Sequence, residues 1–190
     1  MNFEEHAAKP LLAAAGIPIP RGVAVTTADQ AATAAGELGP CVVKAQVPTG
    51  KRGKAGGIRP ANTPEEACAA AQAILGMEIG GHVVERLLVE EAADIAAESY
   101  AAVMNDPASK GPLLLYAAEG GMEIEELSAE RPDALMRVEI DIRHGPDPAA
   151  LRRALRDRAP AGREEEVAGI LERLYAAYRE HDAELLEINP

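Results

Sequence analysis

Lys44, Lys51, Arg52 and Lys54 lie within a short stretch that also contains Gly50, Gly53, Gly56 and Gly57. The β-branched pair Val42–Val43 delivers Lys44, and the glycine loop follows at once. Glycines at Gly50 and Gly53 let backbone N–H groups turn toward an anion with no Cβ in the way, while the four cations supply charge-assisted donors to phosphate oxygens. The spacing is neither Gly-x-x-x-x-Gly-Lys-Ser/Thr nor Gly-x-Gly-x-x-Gly, which removes the two commonest phosphate-loop folds. Composition alone also allows a solvated hairpin turn, since Gly and Lys are ordinary turn material. Against a net charge of -12, however, a local cationic cluster marks a site for a small polyanion.

The same charge argues against nucleic acid, whose phosphate backbone would be repelled everywhere except at this loop. With 190 residues, 47% of them hydrophobic, the chain can bury a core as one domain of two lobes. It has no Trp and a single Phe, so Ala, Val, Leu and Ile must build that core. Cys41 and Cys68 are far apart and imply neither a disulfide framework nor a zinc site. No apolar run approaches the roughly 18 residues of a membrane span and no signal segment is evident, so a cytoplasmic location away from membranes is expected.

Asn2 with Glu5 predicts a capping box for a first helix ending near Gly16, with a kink or separate turn at Pro10. Thr26–Thr27 predicts the start of a second helix, and Cys41 to Val47 the strand that carries Lys44. Ile58 to Ala61 reads as a returning strand, followed by a cap and helix over residues 62–75. Val83 to Val89 reads as one strand leading to Glu90, Glu91, Asp94 and Glu98. Further strands are expected at Val103–Met104, Leu113–Tyr116, Val138–Ile142 and 183–190. An Arg-rich helix follows Pro148, and apolar residues recurring from Val167 to Tyr178 predict an amphipathic helix over 164–180.

Lys44-x-Gln46 followed by Gly50-Lys51-Arg52-Gly53-Lys54-Ala55-Gly56-Gly57 resembles the nucleotide loop of the succinyl-CoA synthetase β subunit and its relatives, malate-CoA ligase and ATP-citrate lyase. The opening Met1–Asn2 through Lys9 and Gly16-Ile17-Pro18-x-Pro20, the segment Leu88 to Tyr100, Glu119-Gly120-Gly121-x-Glu123-Ile124-Glu125 and the closing Leu186-Glu187-Ile188-Asn189-Pro190 resemble the same subunits. The resemblance covers essentially the whole chain but only the amino-terminal half of such a subunit. It implies an α/β (α+β) ATP-grasp fold of two lobes with nucleotide bound between them: a small lobe of about 20–90 and a large lobe of 1–19 plus 91–190.

Carried over residue by residue, the resemblance implies that Lys44 neutralises phosphate charge while Lys51, Arg52 and Gly53 close over it. Glu90, the Ala93 backbone and Glu98 would meet the purine and ribose, whose amino and hydroxyl groups donate to carboxylates and carbonyls. Pro20 lies where the family tunes ATP against GTP and matches the ATP-using form. Asn189 would offer an oxygen to the Mg2+ that bridges the phosphates. Lys51 departs from the glycine or alanine usual there. The family's further metal aspartate comes from a hairpin beyond Pro190, so the domain reads as truncated before the second metal carboxylate.

In the family, ATP phosphorylates a histidine of a partner α subunit, the phosphate passes to a carboxylic acid, and CoA displaces it. His6, His82, His144 and His181 do not match that histidine. The expectation is therefore nucleotide binding, with no thioester formed by this chain alone and the acid, succinate or malate, left open. Two alternatives stay open. One is a non-catalytic nucleotide-binding or interaction module with an ATP-grasp fold. The other is a single-chain carboxylate-amine ligase, disfavoured by the missing carboxylate.

Overall fold

The computed structural model describes residues 2–120, 127–128 and 130–188. It divides into two compact units. The first contains the described residues up to Ala13 and Pro18–Asp94; the second contains Ala14–Ile17 and the described residues from Ile95 onward.

The first unit opens with helix α1 (Glu5–Ala14), then β1 (Gly22–Val25), α2 (Ala28–Leu38), β2 (Cys41–Gln46), β3 (Ile58–Ala61) and α3 (Pro64–Ile74). A small hairpin, β4 (Glu78–Ile79) with β5 (His82–Val83), precedes β6 (Arg86–Glu91). Its four-stranded antiparallel sheet has the order β1-β6-β2-β3. Thr27 caps α2 by accepting from the Gln30 N–H, and Thr63 caps α3 by accepting from the Glu66 N–H, as the sequence predicts. Successive strand residues face opposite ways. Cys41, Val43 and Ala45 of β2, with Leu87 and Val89 of β6, therefore join one core with Ala31, Ala34, Ala35, Ala67, Ala71 and Ile74 of α2 and α3. Small alanine side chains on both helices fill this core without aromatics.

Three local expectations change. The Glu4 carbonyl, rather than an Asn2 capping box, accepts the first helical N–H groups, from Ala7 and Ala8. Pro10 lies inside a continuous α1, whose first turn is fastened by tertiary contacts of Glu5, His6 and Lys9. As far as Ala13, α1 falls in the first unit. The predicted Val83–Val89 strand is two elements, because the β4–β5 hairpin turns through Gly80 and Gly81 and ends at Val83.

The second unit contains β7 (Tyr100–Asp106), β8 (Gly111–Ala117), a short 3-10 turn Pro132–Ala134, β9 (Met136–Glu139), α4 (Pro148–Leu155), α5 (Glu164–Glu180) and β10 (Leu185–Ile188). Its antiparallel sheet has the order β10-β7-β8-β9. One face, with Tyr100, Ala102, Leu113 and Leu115, packs with Leu127 and Leu135. The other carries Asn105, to which the Tyr178 hydroxyl of α5 donates a hydrogen bond. Leu171, Leu174, Tyr175 and Tyr178 form the buried stripe of α5, in line with the predicted periodicity.

Candidate functional site

The alternation that sends Cys41, Val43 and Ala45 into the first core sends Lys44 and Gln46 to the opposite face of the sheet. Lys44 stands directly across from Leu88, and Glu90 is two residues further along β6 on that face. A diagonal neighbour at this spacing is within reach of a long side chain. Lys44 Nζ donates to Glu90 Oε1 at 2.6 Å and to Glu5 Oε1 of α1 at 3.1 Å. Lys9, one helical turn after Glu5, pairs with Glu5 at 3.0 Å and also contacts Glu90. Arg52 of the glycine loop places Nη2 2.9 Å from Glu5 Oε2 and donates Nη1 to the Ala45 carbonyl at 2.9 Å. Three cations and two carboxylates from α1, β2, the loop and β6 thus form one network.

The network is sunk into the fold. Among the described residues, Glu90 at 4% exposure and Gln46 at 2% are the buried polar side chains. Gln46 is satisfied: its Oε1 accepts from the His6 N–H at 2.8 Å, and its Nε2 donates to the Ala45 carbonyl at 3.0 Å. Burial works to raise the Glu5 pKa, but Lys44, Lys9 and Arg52 outweigh it and hold the carboxyl at about 2. For Lys9, burial pushes the ammonium down, opposed by Glu5. A cavity of about 350 Å³ opens beside Gln46, lined also by Arg86, Glu4 and His82.

The glycine loop turns tightly under Arg52. The Arg52 carbonyl accepts from Gly57 N–H at 2.8 Å and the Lys51 carbonyl from Ala55 N–H at 3.1 Å. A Cβ on Gly57 would meet Ile79 at 2.6 Å and the Arg52 carbonyl at 3.1 Å, so this position requires glycine. Lys51 sits at φ 63, in the left-handed region that glycine occupies at little cost and other residues rarely adopt. The Lys51 side chain is exposed, and a Cβ on Gly53 would meet nothing nearer than Ile58 at 3.8 Å.

A model of the ATP-grasp domain matches residues 2–190. The chain belongs to the ATP-grasp family. Among curated relatives, this ATP-grasp chain is 45% identical over 191 residues to the GDP-forming succinate–CoA ligase subunit beta of Thermus thermophilus, covering 100% of this chain and 50% of the relative. It is also 45% identical over 192 residues to the ADP-forming subunit beta of Rubrobacter xylanophilus, with the same coverages. It therefore spans about half the length of the curated relatives it matches. Among solved structures, an acetyl-coenzyme A synthetase of Ca. Korarchaeum cryptofilum shares the fold with TM-score 0.80 at 19% identity, over 98% of this chain and 85% of that one. ATP citrate lyase from Methanothrix soehngenii shares it with TM-score 0.72 at 21% identity, over 98% of this chain and 46% of that one.

Of the residues singled out in the sequence, this ATP-grasp fold brings Lys44, Arg52 and Glu90 into one network. Both Glu90 oxygens are engaged, Oε1 by Lys44 and Oε2 by Lys9. Pro20 stands two residues before Gly22, the register partner of Glu90. Ala93 is exposed after β6, within the first unit, whereas Glu98 belongs to the second and its carbonyl accepts from Gly120 N–H at 2.9 Å. Asn189 and residues 121–126 of the Glu-Gly-Gly motif lie outside the described residues, among which no group of carboxylates, histidines and cysteines could hold a metal ion. No helix among them is long and apolar enough to cross a membrane. Sequence reasoning missed Glu5 and Lys9 as members of the site. Their spacing on the predicted first helix, suited to an ion pair between adjacent turns, was the available signal.

Proposed function

We propose that this chain is the nucleotide-binding portion of the β subunit of an ADP-forming carboxylic acid–CoA ligase of the succinate–CoA ligase kind. The observation that carries the reading is the convergence of Lys44 and Arg52 in a network with more cations than carboxylates, in a chain whose net charge is -12. The 45% identity to succinate–CoA ligase β subunits over the whole chain supports it.

In this reading Lys44 and Arg52 neutralise the phosphates, with Lys51 and Gly53 in the loop that closes over them. Glu90 orients Lys44 through their 2.6 Å ion pair and offers the ribose the lone pairs that this pair leaves free. The Ala93 backbone and Glu98 hold the purine and sugar, and Pro20 favours ATP over GTP. Asn189 is the residue we assign to Mg2+, which would neutralise phosphate charge when bound. The whole enzyme would pass a phosphoryl group from ATP to a histidine of a partner α subunit and then to the acid, before CoA forms the thioester.

Thermal unfolding of the chain tests this, with ATP and magnesium, with magnesium chelated, and with GTP in place of ATP. Ligand at about 100 times its dissociation constant stabilises the native state by roughly 2.7 kcal/mol, which raises the midpoint by several degrees. Lys44→Ala, checked for native circular dichroism, is expected to lose that rise. No shift with wild type at millimolar nucleotide, or an equal shift in the variant, would sink the assignment.

A further inference from the structure

The Glu5 carboxylate is held as a bound anion would be. Its Oε1 lies 3.0 Å from Lys9 and 3.1 Å from Lys44, and its Oε2 lies 2.9 Å from Arg52. The three cations come from three elements that meet at this carboxylate: a helix, a strand and the glycine loop. Two of them are the side chains assigned above to nucleotide phosphates. We propose that Glu5 is a tethered internal anion occupying the cations of the phosphate site, and that the polyphosphate of an incoming nucleotide exchanges with it for Lys44 and Arg52. The inference rests on the nucleotide-binding reading and adds to it the residue that sets its affinity.

The contacts permit such an exchange without stranding a buried charge, which would otherwise oppose it. When Lys44 and Arg52 turn to phosphate, Glu5 keeps Lys9, one turn away on its own helix. Lys44 keeps Glu90, and Arg52 keeps the Ala45 carbonyl. Glu5 Oε2 is buried and makes no aligned hydrogen bond among the described residues, so its contact with Arg52 is electrostatic and off-line. That is the contact an oxygen-rich anion can most readily take over, because phosphate offers the guanidinium two acceptors at once.

The test uses inorganic triphosphate and ATP as probes, with affinities measured by calorimetry on the wild-type chain, Lys44→Ala and the double variant Glu5→Gln/Lys9→Gln. The double variant removes one charge of each sign, so the network keeps its balance and a change in affinity reports the loss of the competing carboxylate. Tighter triphosphate and ATP binding, by about tenfold, is expected in the double variant, with loss of binding in Lys44→Ala. Unchanged or weaker binding in the double variant, while Lys44→Ala still loses affinity, overturns the exchange and leaves the nucleotide site standing. Lys44→Ala binding as wild type overturns both. Should the double variant fail to fold, carbon-detected NMR of the native chain decides: the Glu5 carboxyl resonance shifts on adding triphosphate if Glu5 gives up Lys44 and Arg52, and an unmoved resonance overturns the exchange.

Discussion

The two four-stranded antiparallel sheets are of similar size but treat charge in opposite ways. In the second unit, β8 is buried from Pro112 to Ala117, and its ion pairs sit away from the sheet on loops and helices: Arg131 with Glu119, Arg143 with Asp141, Arg152 with Glu165. In the first, one sheet face joins an aliphatic core, while the other takes Lys44 and Glu90 into a network with Glu5, Lys9 and Arg52. Exposed pairs contribute little, because water solvates each partner nearly as well as its mate does. Buried charges give up that water and depend on their partners. A face that buries charge accordingly carries a stability cost that an apolar face avoids.

The largest effect expected is from Glu90→Ala. It deprives Lys44 and Lys9 of a shared buried carboxylate, and removing one partner of such a pair costs about 3–5 kcal/mol. Urea denaturation would read the loss. Hydrogen exchange would place it, with faster exchange in β2 and β6 and unchanged exchange in β7 and β8. A loss under about 1 kcal/mol, within the range of an exposed pair, would erase the contrast between the two sheets.

Acid titration sharpens the comparison next. Glu5 has its pKa lowered from the ordinary 4.5 to about 2, so its contribution is fully present above about 4.5 and disappears as pH falls toward 2. That gap corresponds to about 3 kcal/mol. Lys9, Lys44 and Arg52 face the carboxylate, and Glu90 shares two of them. Asp141 of the second unit is also held well below the usual carboxylate range, chiefly by hydrogen bonds from Arg143, but it is exposed. Glu5→Gln should flatten the acid limb of a stability-versus-pH curve, and Asp141→Asn should leave it in place. An acid limb identical in wild type and Glu5→Gln would remove Glu5 from the account.

Much of the fold and several members of the network were legible in the sequence, and what was hidden has physical causes. The glycine loop, the helix caps at Thr27 and Thr63 and the amphipathic α5 are local patterns fixed by neighbours within a few residues. Lys44, Arg52 and Glu90 could be singled out through the resemblance of their motifs. Their pairing with one another and with Glu5 could not, because Lys44 meets Glu5 across 39 positions and Glu90 across 46. The first strand, Gly22–Val25, is four residues with three of them exposed, too short to show alternation. The kink or separate turn expected at Pro10 gives way to a continuous helix because local propensity carries no information about the tertiary contacts that fasten the turn before it.

The smallest effect should come from the best-formed pair on the surface. Arg152 of α4 donates to both oxygens of Glu165 of α5, Nε to Oε2 at 2.6 Å and Nη2 to Oε1 at 2.7 Å, a geometry more regular than any contact in the buried network. Hydrogen bonding from Arg152 lowers the Glu165 pKa, so the interaction is felt by the charge. Yet the two side chains remain 40% and 75% exposed, and each would find water or counterions if the other were removed. Arg152→Ala should therefore change unfolding free energy by no more than about 0.5 kcal/mol, and less still at high salt. Urea denaturation at low and high ionic strength measures both. A loss of about 2 kcal/mol or more would mean that geometry outranks burial in this fold, and the division between a sheet that depends on its charges and one that merely displays them would have to be given up.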